Sequence, residues 1–248
     1  MEAHQKKGLY SNRNLEFYDG GEESEEYLKR PYHRLRIEKA AAIIHRELVR
    51  IKTTTDNPRA LDIGCSSGHA TNIIFRQHPH VKVFGLDLSA SALEKASRYG
   101  VSGVVGDVEA PLPFPNEHFD IVFAGEVIEH IIEVDDFLRE IRRCLKTQGL
   151  LVLTTPNLAR LIDRVRFIFG ISPKQNTPMH RYLKYHVTPF TFSSLRDCLA
   201  RTGFRVESFT SNYVYLDPKG QGSLKSRLAA NLFPSFGGTL IVSARRSR

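Results

Sequence analysis

Tryptophan is missing from this sequence, and methionine (2) and cysteine (3) are scarce among its 248 residues. Cys65, Cys144 and Cys198 stand far apart, which excludes a Cys-x-x-Cys redox pair or a zinc-finger spacing and fits a reducing compartment. No apolar run approaches the ~20 residues that a bilayer crossing needs, so no membrane span is expected. The opening MEAHQKKGLYSNRN carries no apolar signal core, so secretion is not expected and the cytoplasm is the expected location. There is no internal repeat or low-complexity tract.

What the chain does have is positive charge. Lys and Arg number 35 against 27 Asp and Glu, a formal charge of +8. Such an excess points to an anionic partner: nucleic acid, a phosphorylated substrate or an anionic membrane surface. The length suits one large α/β domain. Residues 1–30 read as a polar N-terminal segment, its first ~25 residues rich in Glu and expected to fray or wrap the surface. Residues 31–248 read as the domain itself.

From Pro31 to about Lys52 the spacing predicts a helix with Leu35, Ile37, Ala41, Ile44 and Leu48 on its apolar face. TTTDNPR breaks it. A strict alternation follows: RALDIG strand, GHATNIIFRQH helix, VKVFGLDL strand, SASALEKASRYG helix, VSGVVGD strand, a proline-rich loop, DIVFAGEV strand, DDFLREIRRCLK helix, GLLVLTTP strand. Ser89 is the expected N-cap of the second of these helices and Gly100 its stop. This rhythm implies a Rossmann-like, doubly wound α/β fold with helices on both faces of a parallel sheet. After an irregular stretch, 157–190, come the helix FSSLRDCLARTG, the segment FRVESFTSNYVYL, and GTLIVSARR. Two late strands with no helix crossover between them predict an antiparallel pair at the sheet edge.

The chemistry starts at ALDIGCSSGHAT, residues 60–71. A strand ending in a glycine-rich turn before a helix is where a ligand lies close to the main chain. The turn reads Gly64-Cys65-Ser66-Ser67-Gly68 rather than G-x-G-x-x-G, so the dinucleotide fingerprint is absent. Three acids fall at the expected strand ends: Asp62, Asp87 and Asp107. Parallel sheets bind ligands at those carboxyl ends. Asp87, 25 residues after Asp62, is placed to accept hydrogen bonds from both ribose hydroxyls of a nucleoside, and Asp107 to receive one from an adenine amino group. Taken singly, each acid is equally an ordinary turn residue.

In order and spacing, LDIGCSSG, GLDLS, GDVEAPLPF, FDIVFAGEVIEHI and LREIRRCLKTQGLLVLTTPN resemble the motifs of the class I S-adenosylmethionine-dependent methyltransferases, closely over residues 58–155 and loosely thereafter. The family's usual middle glycine is Ser66 here. The resemblance implies a seven-stranded sheet whose last strand is antiparallel, and S-adenosyl-L-methionine as cofactor. It implies a cofactor-binding set of Asp62, Gly64, Cys65, Gly68, Asp87, Leu88, Gly106, Asp107, Val108 and Glu126, with Asp62 helping to anchor the glycine turn through backbone amides.

Methyl transfer from a sulfonium needs alignment of the acceptor and, for a hydroxyl acceptor, removal of a proton. His130, in GEVIEHI, is a candidate base, since imidazole titrates near pH 6.5; a packed structural histidine is an equal reading. His186 is a second candidate, in MHRYLKYHVTPFT with His180, Tyr182 and Tyr185. His186-Val-Thr-Pro-Phe-Thr resembles a feature of methyltransferases acting on sugars and other small molecules, which implies O-methylation of a sugar, quinone-like or lipid-linked compound with no metal. One rival rests on Glu126-x-x-Glu129-His130, similar to the metal-holding motif of small-RNA ribose 2′-O-methyltransferases, in which His180 or His186 would complete a divalent-cation site. The RNA-recognition segments of that group are not recognisable, and nucleic acid is not the expected partner. A second rival is a non-catalytic nucleoside-binding protein.

Between Asn157 and Phe190 six basic residues (Arg160, Arg164, Arg166, Lys174, Arg181 and Lys184) face Asp163 alone. LARLIDRVRFIFGI reads as a basic amphipathic helix, and KGQGSLKSRLAANLFPSF is similar. Both lie in stretches expected to cover the acceptor, at about 157–190 and 214–238. An anionic or lipid-linked small-molecule acceptor, with peripheral contact at the inner membrane face, is the resulting expectation.

Overall fold

The structure, a computed structural model, describes residues 26, 28–53, 55–173, 186–216 and 224–247. The expected fraying of the N-terminal segment, and the placement of His180, Tyr182 and Tyr185, fall outside these residues.

Helix α1 (Pro31–Ile51) starts with Pro31 in its first turn, where a missing N–H costs nothing. Ile37, Ala40, Ile44 and Leu48 are buried at helical spacing; Ala40 rather than Ala41 takes the core position. There follow β1 (Arg59–Ile63), α2 (His69–Phe75), β2 (Lys82–Asp87), α3 (Ala90–Ser97), β3 (Ser102–Val105), β4 (Phe119–Gly125), a 3-10 turn at Ile128–His130, α4 (Val134–Cys144), β5 (Leu145–Pro156), α5 (Leu161–Ile168), α6 (Phe192–Arg201), β6 (Phe204–Thr210), β7 (Val214–Tyr215), β8 (Lys225–Ser226), α7 (Arg227–Leu232), a 3-10 turn at Pro234–Phe236, and β9 (Thr239–Arg246). Ser89 caps α3 by accepting the Ala92 amide, as read from the sequence.

The seven-stranded sheet has the order β3-β2-β1-β4-β5-β9-β6. Its ladders are parallel except that β9 runs antiparallel to both β5 and β6. Alternate residues feed two cores. Leu61, Val122, Ala124, Leu151 and Leu153 join the face covered by α4 and α6. Ala60, Ile121, Phe123, Leu150 and Val152 join the face under α1 and α2. This period-two split, buried on both sides, is why the strands read as continuous apolar runs.

Three boundaries differ from the sequence reading. FRVESFTSNYVYL is not one strand: it breaks after Thr210, where Ser211 and Asn212 are buried and turn their side chains onto Thr239. Tyr213 then takes its amide to the Asn212 carboxamide, and β7 pairs with β8 in a separate ribbon. β3 stops at Val105, so Asp107 lies beyond the strand rather than ending it. α2 is shorter than read, ending three residues before His78, whose amide closes a turn onto the Phe75 carbonyl.

Candidate active site

The strand order reverses at β1, with β2 on one side and β4 on the other, so the crevice above their carboxyl ends is where this fold seats a ligand. The turn leaving β1 is wound tightly. Gly64, Ser66 and Gly68 have φ of 69°, 46° and 77°, a region costly for residues with a Cβ. Ser66 stands where the sequence reading missed a glycine, and the strain has a visible counterweight: its amide donates to Asp87 Oδ2 at 2.8 Å. A Cβ on Gly64 would sit 2.7 Å from Val127 Cγ2, and one on Gly68 2.9 Å from Ala96. Close packing on α3 and on the loop after β4 is thus a second reason for bare backbone here, besides ligand approach.

Asp87 Oδ1 accepts the Ser89 amide at 2.9 Å. Both oxygens are thus held by backbone N–H groups on the protein side, and a carboxylate, with about four lone-pair sites, has room for a further donor. Burial raises its pKa, while the amides of Ser89, Ser66 and Leu88 pull it back. Leu88 is half-buried beside it. Cys65 is buried, its thiol packed where a side chain on Gly85 would be (2.5 Å), so Gly85 is what admits it. Burial first, then the charges of Asp62 and Asp87, push the thiol pKa up; this cysteine is a packing residue, not a nucleophile.

Asp62 corrects an expectation. Its carboxylate accepts the Thr71 hydroxyl at 2.5 Å and so ties β1 to α2 rather than holding the amides of the turn. It is buried, and burial lifts its pKa to about 7, with the Asp87 charge adding to the rise and Thr71 opposing it. Gly106, Asp107 and Val108 follow β3; Asp107 Oδ1 accepts the Glu109 amide at 2.9 Å and closes a turn there. Val108 is half-buried against the core under α4.

At the end of β4, Glu126 has φ of 60°, an outlier of the kind that clusters at functional sites. Its carboxylate receives Thr154 Oγ1 at 3.3 Å and lies 3.6 Å from the Arg36 guanidinium. Arg36 also donates to Thr154 at 2.7 Å and is 3% exposed. Glu129 Oε2 accepts Thr155 Oγ1 at 2.9 Å, and Oε1 is buried with no hydrogen-bond partner among the described residues. Burial, then the neighbouring Glu126, holds Glu129 well above the usual carboxylate range. The His130 and His186 rings meet edge to face, centroids 5.0 Å apart. Residue 188 fixes that meeting: the Thr188 amide donates to the Glu129 carbonyl (3.0 Å) and its hydroxyl to Ile131 (2.6 Å). One potential ligand atom from each of Glu129, His130 and His186 lies within 4.8 Å of the others.

Sequence reasoning missed Arg36 and Tyr32. Arg36 sits between Leu35 and Ile37 on the buried face of α1, and a charge on an apolar face was the available signal. Tyr32 donates to the Gly238 carbonyl (3.0 Å), and burial pushes its pKa up to about 12.

Comparison with known proteins agrees with this geometry. A family model described as a methyltransferase domain matches residues 61–153. A demethylmenaquinone methyltransferase of Thermotoga maritima is 30% identical over 166 residues, 60% of this chain and 72% of that one. A probable S-adenosylmethionine-dependent methyltransferase of Mycolicibacterium smegmatis is 29% identical over 148 residues, 59% of this chain and 52% of that one; the chain thus spans about half the length of that relative. A putative methyltransferase of Bacillus halodurans, 21% identical, superposes with a TM-score of 0.57 over 82% of this chain and 98% of that one, which shows the fold. With this strand order and glycine-rich turn, the chain belongs to the class I S-adenosylmethionine-dependent methyltransferases, and S-adenosylmethionine is its cofactor.

Proposed function

We propose that this chain transfers the methyl group of S-adenosylmethionine to an oxygen of a small lipid-linked acceptor, which it meets at an anionic membrane surface. The cofactor supplies a methyl on a sulfonium, a good leaving group. The chain's residues bind and align: Asp87 takes the ribose hydroxyls on its spare lone pairs, the 64–68 turn lies along the nucleoside and its attached chain, and Asp107 and Val108 border the base. Glu126, held by Arg36 and Thr154, faces the methionine end. His130, propped by His186, takes the acceptor's proton.

One observation carries the acceptor class. Phe167, Ile168 and Phe169, at the end of α5, are 69%, 79% and 75% exposed, and Leu228, Leu232 and Phe233 on and after α7 are 69%, 64% and 56% exposed. Large apolar groups left together in solvent mark an interaction surface. α5 is tied to the 3-10 turn that follows α7: Arg164 donates to the Ser235 carbonyl at 2.9 Å and lies over the Phe236 ring. Asp163 is turned inward onto Arg160, which leaves the outer face of α5 cationic and apolar, the makeup of an interfacial helix. α5 follows directly from β5, whose Thr154 and Thr155 touch Glu126 and Glu129, so this face borders the acceptor side. Among the described residues no helix is long and apolar enough to cross a membrane. The relative named for demethylmenaquinone supports a lipid-like acceptor.

The test is methyl transfer from radiolabelled S-adenosylmethionine into lipid extracts, followed by identification of the product. Replacing Phe167, Ile168 and Phe169 together by serine is expected to weaken binding to phosphatidylglycerol vesicles at least about a hundredfold. KM for the lipid acceptor should rise, while turnover of a tail-less analogue stays unchanged. Equal vesicle binding by the variant would remove the membrane. For the proton acceptor, His130→Ala is expected to lower kcat by about a hundredfold or more, and unchanged turnover would remove His130. Binding of S-adenosylmethionine with no labelled product from any extract would favour a nucleoside-binding protein.

A second reading, ribose 2′-hydroxyl methylation with a divalent cation, is favoured by Glu129 Oε1, without a hydrogen-bond partner among the described residues, beside His130 and His186. Full turnover after exhaustive chelation would remove it.

A further inference from the structure

At the opposite end of the strands, away from the carboxyl ends of β1, β2 and β4, a cleft of about 460 Å³ opens between the end of α4, the approach to β4 and the end of β9. A second of about 350 Å³ adjoins it along α6 and shares Arg139 and Arg142 as its wall. Together they are lined by five guanidinium groups, Arg139, Arg142, Arg143, Arg201 and Arg246, and by one carboxylate, Glu117.

Four of the five are neutralised nearby. Arg139 pairs with Asp136 (2.9 Å), Arg143 with Glu140 (2.8 Å), Arg201 with Asp135 (2.7 Å) and Arg246 with Glu117 (2.9 Å). Arg142, the wall common to both clefts, has no hydrogen bond or ion pair among the described residues, and its Nε is buried without an acceptor. It is not a loose surface chain. Gly203, with φ of 83°, lies against it so closely that a Cβ there would fall 2.5 Å from Arg142 Nε. The glycine at the α6–β6 turn therefore makes room for this guanidinium and holds it at the cleft. A guanidinium stays protonated in proteins, so it is a fixed positive charge awaiting an anion.

We propose that this groove binds a small soluble phosphate-bearing anion, with Arg142 as the anchoring cation and Arg139, Arg143, Arg201 and Arg246 supplying further donors. Planar guanidinium forks match phosphate oxygens two at a time, and the volume suits one or two phosphate groups. The uncompensated charge of Arg142 thus has a use that the methyl-transfer site does not supply. The inference is independent of which acceptor is methylated.

Titration calorimetry of the full chain with inorganic pyrophosphate tests it. Saturable one-to-one binding is expected, weakened at least about tenfold in Arg142→Ala, the loss of one charge-assisted contact, and by less in Arg142→Lys. Lys95→Ala, which removes an exposed cation on α3, should bind like the parent and so controls for net charge. Should the alanine variant fail to fold by circular dichroism, Arg142→Gln keeps the length without the charge. Affinity equal in parent and Arg142 variants, or a loss matched by Lys95→Ala, would overturn the proposal. So would dependence on Arg142 seen with phosphatidylglycerol vesicles but not with pyrophosphate, since that would make the ligand a membrane headgroup.

Discussion

Asp87→Ala is expected to weaken S-adenosylmethionine binding by at least about a hundredfold in calorimetric titration, the value of roughly two charge-assisted hydrogen bonds. The carboxylate acts on both sides of the crevice. Facing the protein, it satisfies the amides of Ser66 and Ser89 at 2.8 and 2.9 Å. Facing the ligand, it offers its remaining lone pairs to the ribose. Alanine removes both functions, so the left-handed Ser66 loses the bond that offsets its backbone, and the turn loosens as well. Asp87→Asn keeps one acceptor oxygen and should fall between the two. Ser66→Gly accepts the same φ without strain and should bind no worse than the parent. An Asp87→Ala protein that binds the cofactor with parental affinity would end the placement of the nucleoside between β1 and β2.

Arg245→Ala is expected to cost about 3 kcal/mol of stability, read as a lower urea midpoint and a melting temperature lower by about 6–12 °C. Arg245 is 9% exposed and joins three parts of the fold. It donates to both oxygens of Glu47 on α1 (2.9 and 3.1 Å), to both of Glu207 on β6 (2.8 and 2.7 Å), and to the Gln148 carbonyl (2.7 Å). Truncation leaves two carboxylates in its place. The expected cost stays near the lower end for a broken buried pair because Glu47 keeps Arg50 and Glu207 keeps Arg205. Acid sensitivity changes with it. Burial alone would raise the Glu47 pKa, but hydrogen bonds from Arg50 and Arg245 outweigh it and hold the group at about 2. A pKa depressed by folding contributes stability above the unfolded value of about 4.5, and that contribution drains away as pH falls toward 2. Without Arg245 the loss over that window should be shallower. Parallel acid-unfolding curves for the two proteins would contradict this account.

Much of the sheet could be read from the chain because hydrophobic period and punctuation agreed. Strands buried on both faces give unbroken apolar runs such as GLLVLTTP, and Ser89 and Gly100 bracket α3 with signals that act locally. The place of Asp87 at the end of β2 was legible because an acid closes that apolar run, 25 residues after Asp62. Asp62 was placed but given the wrong partner: whether a carboxylate meets a backbone amide or Thr71 depends on the docking of a helix, which no local pattern encodes. The break at Ser211 and Asn212 was hidden for the same kind of reason, since the Thr239 that captures their side chains lies 27 residues or more away. Arg36 and Arg142 show the general limit. Each is one cation among many in the sequence, and only packing reveals that one is sealed beneath Glu126 while the other stands uncompensated beside Gly203.

The insertion of β9 between β5 and β6 sets an order on biosynthesis. During translation β6 leaves the ribosome with no ladder partner, since the strand that will flank it is made later and must slot in from the opposite direction. Until then β5 exposes an open margin and α6 covers an unfinished face. Nascent chains stalled just before Thr239 should therefore be the ones that chaperones hold longest.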